Sequence, residues 1–479
     1  MRGSTLNKLL SVALLCLLCI QLMSGQTATP SVVGEFRGTL SRTHIVLHLR
    51  RDQAGSLTGT LDIADMGETA IPCAQITLAG RQISFTVPKF DMAYKGEVAV
   101  EGATITGTLD QDTPFVFTRE VRATAASLGA RLAELDSAAA ADFAKHSVGS
   151  LTIGVVSGDQ LIWTKSYGNT DMEKHQPATK DTVYRIGSIT KMFTALMLEQ
   201  LVDSGKVHLS DPVEKYFPEV DTVQGRFPGA PPITLVQLAT HTSGLGREPD
   251  HTETYVHGPV SDWEKTLITA LPHVHYIFEP GTRYSYSNIG YAVLGAALAR
   301  AAGQPYVDYI PRHVFEPLGM THSALQLTPQ ISPQLAKGYQ MSAKGVDADT
   351  PQREQAGRGY KVPNGAIYTT VGDLARFCSF LMGHGPSSVL KTDSLQHYQN
   401  QLAVPANSQL TGGYGLGFSV TRQDNYIAFG HGGAVAGYQA GLEINRDAEI
   451  GVIVLANAIG PGTVNVADFT LTSLDLLSK

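Results

Sequence analysis

Between residues 32 and 119, hydrophobic and polar positions alternate in short runs. Ile45, Leu47 and Leu49 interleave with His44, Val46 and His48, and the same two-residue period runs through 82–87 and 104–109. Successive side chains of a strand point to opposite faces, so this period predicts strands with one buried face. Glycine- and aspartate-rich turns break the pattern at roughly ten-residue intervals, as in an all-β module. The triplet Gly-Thr-Leu returns at 38–40, 59–61 and 107–109. The pattern predicts a small antiparallel β-barrel or sandwich over residues 26–120. No cluster of acids, bases or metal ligands stands out there, so this module reads as packing rather than catalysis.

The period then changes. Residues 123–146 are alanine-rich, with Leu128, Leu132, Leu135 and Phe143 at helical spacing. Two apolar runs, 150–156 and 160–168, flank Ser157-Gly158-Asp159 and predict a β-hairpin. Helical patterns dominate from 188 to 400. Strand signals return at 426–429, 438–444 and 449–455, and a last helix is predicted over 464–477. Strands at both ends with helices between them predict one sheet, built from both ends and covered by helices. Residues 121–479 thus read as a mixed α/β (α+β) domain: an antiparallel sheet flanked by helices, with a helical subdomain.

The N-terminus has a different grammar. Arg2 and Lys8 precede the apolar run Leu9 to Met23, and the small residues Ser24 and Gly25 follow. This predicts a secretory signal peptide over residues 1–25, and hence an exported protein, periplasmic or extracellular. The run is short for a membrane span, although an uncleaved anchor is the alternative. The formal charge is −7. No basic stripe runs along the chain, which excludes nucleic acid as a partner. Beyond the leader only Cys73 and Cys378 remain, too few for a disulfide framework.

Candidate chemistry begins at Ser188-Ile189-Thr190-Lys191, which runs into the apolar segment Met192 to Leu198. Residues three apart on a helix share a face, so the Ser188 hydroxyl and Lys191 amine are expected to meet. A neighbouring base activates a serine without needing histidine. A second Ser-x-x-Lys, Ser388 to Lys391, follows His384-Gly385-Pro386 and reads as a surface turn. Next comes Tyr286-Ser287-Asn288 at the head of the apolar run 291–302. A phenol beside an ammonium has its pKa lowered, which predicts Tyr286 as a proton shuttle. The Asn288 amide would hold Lys191 or a substrate carbonyl. Tyr167-Gly168-Asn169 and Tyr398-Gln399-Asn400 share the spacing but read as a hairpin strand and a polar helix. The third element is His431-Gly432-Gly433-Ala434, whose glycines allow a strand to approach a ligand closely. Alternatively it is a tight turn capped by His431. His273-Val274-His275 lacks the partners of a metal site, His241 reads as a structural loop histidine, and no Gly-x-Ser-x-Gly elbow occurs.

In this order, Ser188-x-x-Lys191, Tyr286-x-Asn288 and His431-Gly432-Gly433 resemble the penicillin-recognising serine hydrolases: class C β-lactamases, D-alanyl-D-alanine carboxypeptidases and related esterases. The segments 235–245 and 362–370 resemble further family segments. The resemblance implies a β-lactamase-like fold and Ser188 as the acylated nucleophile. It implies Lys191 and Tyr286 as the base system and Asn288 as a substrate-positioning group, with the Ser188 and Ala434 amides as oxyanion hole. One departure matters: His431 stands where class C β-lactamases have a lysine that binds the substrate carboxylate. That favours short esters, amides or D-amino-acid peptides over efficient β-lactam hydrolysis. The alternatives are a class C-like β-lactamase and a non-catalytic sensor of penicillins or peptidoglycan fragments. No cofactor or metal is implied; the expected partner is a small-molecule or peptide acyl substrate.

Overall fold

The computed structural model describes residues 32–479 apart from 41–42, 53–54, 64–67, 101, 111, 120–122, 392–393, 396–397, 400–411 and 424–425. The expected leader lies outside the described residues. Among those described, no helix is long and apolar enough to cross a membrane. The chain divides into two compact units between Val121 and Arg122.

The first unit is a nine-stranded antiparallel sheet: β1 (Gly34–Leu40), β2 (Thr43–Arg51), β3 (Leu57–Ile63), β4 (Glu68–Pro72), β5 (Ala74–Ala79), β6 (Gln82–Val87), β7 (Met92–Val98), β8 (Thr104–Leu109) and β9 (Thr113–Arg119). Its order is β4-β3-β2-β1-β9-β8-β7-β6-β5. The outermost strands β4 and β5 are separated in sequence only by Cys73, so the sheet curls on itself like a barrel. The register Phe36↔Leu47↔Leu61 stacks buried residues on the inner face, and Phe85, Tyr94, Phe115 and Phe117 fill the core. The alternation read from the sequence thus has its physical counterpart. One expectation fails: a charged cluster does exist. On the outer face His48 lies between Glu35 and Asp62, each at 2.9 Å. Cross-strand neighbours are many residues apart in sequence, so the cluster leaves no local motif.

In the second unit, α1 (Gly129–His146) precedes the hairpin β10 (Ser150–Ser157) and β11 (Gln160–Asp171), and β12 (Gln176–Pro177) borders it. The return segment supplies β13 (Gly412–Tyr414), β14 (Ser419–Arg422), β15 (Ile427–Val435), β16 (Tyr438–Asn445) and β17 (Ile450–Ala456). Strand order is β12-β11-β10-β17-β16-β15-β14-β13, with Ile153 opposite Val454 where the two ends meet. One sheet is built from both ends, as the pattern predicts. Leu132 and Leu135 of α1, with Leu474 and Leu477 of the closing helix Val466–Ser478, cover one face. The other face joins the helical core, which includes α2 (Thr190–Asp203) and α3 (Asn288–Ala302). Both helices are buried over most of their length, α2 from Thr190 to Glu199 and α3 from Asn288 to Ala299. A helix apolar on every side belongs in the interior. That burial puts Lys191 in a dry environment.

Candidate active site

Ser188 sits on the single 3₁₀ turn Gly187–Ile189 that feeds α2. This turn packs directly onto β15. A Cβ on Gly433 would lie 1.9 Å from the Ile186 carbonyl oxygen, and one on Gly187 would lie 2.7 Å from the Ala434 nitrogen. Gly187 also has φ +50°, a conformation that L side chains rarely adopt. β14 pairs with Ile427–Gly430 only, so His431–Val435 have a ladder partner, β16, on one side. The close approach that the glycines were expected to permit is therefore an approach of the turn that carries Ser188, and it brings the segments carrying the Ser188 and Ala434 amides together.

Lys191 is fully buried. Its Nζ lies 3.0 Å from Ser188 Oγ and donates to Asn288 Oδ1 at 2.9 Å and to the Asn364 carbonyl at 3.1 Å. Burial drives the amine well below the ordinary lysine range; Glu248 opposes the shift, and Lys361, Arg247 and Arg358 add to it. A neutral amine has two N–H groups and one lone pair. In that unprotonated form the two carbonyl oxygens would take the N–H groups, and the lone pair would be left for Ser188.

Tyr286 lies beside both groups, its ring centroid 4.8 Å from Lys191 Nζ. The expectation of a lowered phenol pKa is not met. Burial pushes Tyr286 up, and a hydrogen bond with the Ser188 side chain opposes this only in part. His241 packs on the Tyr286 ring at 4.1 Å between centroids, and its Nδ1 accepts the Ser287 N–H at 3.0 Å. The loop histidine thereby orients the whole Tyr-x-Asn turn.

His431 is buried as well. The Tyr414 hydroxyl lies 2.9 Å from Nε2, and Nδ1 faces the Gly432 carbonyl. Burial and the neighbouring Lys191 push its pKa down to about 3, so the imidazole is neutral. It carries no charge with which to attract a carboxylate.

Several residues of this site had no signal in the sequence. Glu248 accepts from Asn288 Nδ2 at 2.7 Å and from Lys361 Nζ at 2.9 Å, and the Tyr360 hydroxyl donates to it too. Burial alone would raise the Glu248 carboxyl, but Lys361, Tyr360 and Asn288 hold it below the usual range. Because Nδ2 must face the carboxylate, the Asn288 oxygen must face Lys191. Asn364 completes the cluster, donating from Nδ2 to the Asn288 carbonyl at 2.9 Å; the segment 362–370 had been singled out, but not this residue.

The decoy motifs lie elsewhere. Ser388 and Lys391 are exposed, as expected of a surface turn. Tyr167 is in β11; Tyr398 is fully buried, its hydroxyl donating to the Met192 carbonyl, rather than part of a polar face. His275 is 2.9 Å from Asp250, and His273 stacks on Tyr255.

Comparison with known proteins matches this arrangement to a family. The Beta-lactamase family model aligns with residues 134–476. The D-alanyl-D-alanine-carboxypeptidase/endopeptidase AmpH of Escherichia coli (strain K12) is 34% identical over 47% of this chain and 56% of its own length. Beta-lactamase-like protein 2 of Dictyostelium discoideum is 28% identical over 64% of this chain and 56% of its own length. The chain thus spans little more than half the length of these curated relatives. The octameric penicillin-binding protein homologue from Pyrococcus abyssi superimposes with a TM-score of 0.61 at 25% identity, over 72% of this chain and 77% of that one. A class C beta-lactamase superimposes with a TM-score of 0.59 at 20% identity, over 73% and 96%, and shares the fold.

Proposed function

Since the chain belongs to the beta-lactamase family of serine hydrolases, we propose that it hydrolyses short esters, amides or D-amino-acid peptides through an acyl-enzyme on Ser188. The observation that carries this reading is the buried Lys191 amine, 3.0 Å from Ser188 Oγ with two carbonyls on its N–H groups. The lone pair takes the Ser188 proton as Oγ attacks the substrate carbonyl carbon. The Ser188 and Ala434 amides stabilise the resulting oxyanion. Tyr286, held protonated by burial and hydrogen-bonded to Ser188, delivers a proton to the leaving group. Water then attacks the acyl-enzyme by the reverse relay. Asn288 keeps the amine aimed. His431 to Gly433 let the strand approach the turn without contributing charge. A peptidase reading is supported by the name of the AmpH relative. The secretory leader expected over residues 1–25 supports a place of action outside the cytoplasm, where peptidoglycan fragments are within reach.

Intact-protein mass spectrometry of the chain and its Ser188→Ala variant, after exposure to a penicillin and to a short activated ester, tests this. Ester turnover or a covalent adduct that disappears in the variant is the expected result. A lasting penicillin adduct without turnover of any acyl substrate would favour the sensor reading. Turnover unchanged in the variant would remove Ser188 from the mechanism.

A further inference from the structure

Resting on the acyl-enzyme reading, we infer that His241 and Tyr414 form one positioning unit that holds the Tyr286 phenol at Ser188 and joins its turn to the His431–Ala434 strand. His241 accepts from the amides on both sides of Tyr286. Its carbonyl takes the Ser285 N–H at 2.9 Å and its Nδ1 takes the Ser287 N–H at 3.0 Å. Its ring lies on the Tyr286 ring, 4.1 Å between centroids. One loop residue thus fixes both the backbone and the phenol of the proton donor. This placement has costs that packing alone would not select. His241 has φ +60°, a left-handed conformation uncommon outside glycine. Burial first, then Lys191, His431 and Arg247, hold its imidazole well below the ordinary pKa, so the ring is neutral. Because Nδ1 accepts, the one ring proton is on Nε2. That buried nitrogen has no hydrogen-bond partner among the described residues. An unmet buried donor costs about 1–3 kcal/mol. Backbone strain and an orphaned donor on one residue, packed against a reacting group, mark a functional constraint.

Tyr414, the last residue of β13, is the second member. Its ring packs on His241 at 4.6 Å and stands edge-on to Tyr286 at 6.1 Å. Its hydroxyl lies 2.9 Å from His431 Nε2. The Gly432 carbonyl that faces His431 Nδ1 can only accept, so Nδ1 carries the proton and Nε2 accepts from Tyr414. The imidazole of the third motif is thus pinned at both nitrogens. The residues that follow it, Gly433 and Ala434, are those on which the Ser188 turn packs. Beneath His241, the Tyr291 ring closes the box at 5.0 Å, anchored by its hydroxyl on the Ala239 carbonyl at 2.6 Å. A continuous set of rings therefore runs from the proton donor to the strand that bears the Ala434 amide. Close-packed groups of this kind pass a displacement on rather than absorb it.

Two acetate esters test this, 4-nitrophenyl acetate and benzyl acetate. Nitrophenolate departs without a proton, whereas the benzyl alkoxide needs one as its bond to the acyl carbon breaks. His241→Phe keeps a ring and loses the acceptor. His241→Asn keeps an acceptor and tolerates the left-handed backbone, but loses the ring. Both variants are expected to lower kcat/KM for the benzyl ester about 10–100-fold more than for the nitrophenyl ester, the loss from a misplaced general acid. The ratio of the two values does not depend on how much of a preparation is folded. Tyr414→Phe is expected to move the ratio the same way, and in the double variant with His241→Asn the losses fall short of the product of the single ones. Ratios unmoved in both His241 variants, while turnover still depends on Ser188, overturn the positioning role. Losses that multiply in the double variant overturn the joining of the two residues. Undiminished turnover of both esters by Ser188→Ala overturns the acyl-enzyme reading and this inference with it.

Discussion

Lys191 donates to the side-chain oxygen of Asn288 at 2.9 Å, a contact possible in only one orientation of the Asn288 amide. Glu248 enforces that orientation by accepting from Nδ2. Replacing Asn288 by Asp puts a second carboxylate against the amine and raises its pKa. The base must be unprotonated to accept from Ser188, so activity is lost as pH falls through the Lys191 pKa. Asn288→Asp therefore moves the acid limb of kcat/KM to higher pH and lowers the rate at neutrality. Glu248→Gln removes a charge that opposes deprotonation and moves the same limb down. A pH–rate profile on an uncharged ester reads both; limbs that stay in place would show that Lys191 is not the base.

Lys191→Ala removes the proposed base outright. The expected loss in acylation rate is about 10²–10⁴-fold, the range for a positioned proton acceptor. Lys191→Arg is expected to be as inactive, because guanidinium keeps its proton at any working pH. Single-turnover acylation measures both. An arginine variant near the native rate would mean that the residue supplies positive charge rather than a lone pair.

Gly433→Ala tests the contact between β15 and the nucleophile turn. The added Cβ would fall 1.9 Å from the Ile186 carbonyl, so the turn has to move. Overpacking of this kind costs about 1–3 kcal/mol. A shift of the turn also separates the Ser188 and Ala434 amides, so acylation falls by more than the stability loss explains. Denaturant titration beside the burst amplitude separates the two effects. Native acylation in a destabilised variant would dissociate the strand from the oxyanion site.

These predictions divide into those the sequence made available and those it did not. Ser188, Lys191, Tyr286 and Asn288 were legible because each lies in a short motif at the head of an apolar helix, where spacing alone fixes a shared face. The alternation of Ile45, Leu47 and Leu49 fixed the inner face of the first unit for the same reason. Glu248, Tyr360 and Lys361 were not legible, since a hub of this kind is assembled from separate loops and leaves no period. The direction of the Tyr286 shift was misjudged for a different reason. Sequence places a lysine near a phenol, but it does not reveal that the phenol itself is buried deeply enough for burial to prevail.

Arg185 and Arg358 carry the same lesson in the packing. The Arg185 side chain is wholly buried, and its Nε and Nη1 have no hydrogen-bond partner among the described residues. It lies over the rings of Tyr368 and Tyr438, and Nη2 donates to Glu354 at 3.1 Å. Glu354 also faces Arg358, so one carboxylate serves two buried cations. Breaking a buried pair from one side costs about 3–5 kcal/mol, because the charge left behind is uncompensated. Glu354→Gln is expected to lower the unfolding free energy of the second unit by that order in urea titration. A loss under 1 kcal/mol would mean that the aromatic rings alone hold Arg185.

The pH response of the first unit follows from His48. Burial would lower its pKa, but the flanking Asp62 and Glu35 prevail and raise it from an ordinary 6.5 to about 9. Both carboxyls are correspondingly held below their usual range by the imidazole. A histidine with a raised folded-state pKa binds its proton more tightly folded than unfolded. Its stabilisation is complete below about pH 6.5 and is lost as pH rises through about 9. Charge-assisted hydrogen bonds of this kind contribute about 1.5–3 kcal/mol. Amide-exchange protection of β1, β2 and β3 in the full chain, corrected for intrinsic rates, should therefore fall between pH 6.5 and 9.5. His48→Gln should lower protection at the acid end and flatten the slope, leaving β6 to β8 less affected. A native chain whose β2 protection is level across that interval would show that the cluster is a surface contact without consequence for folding.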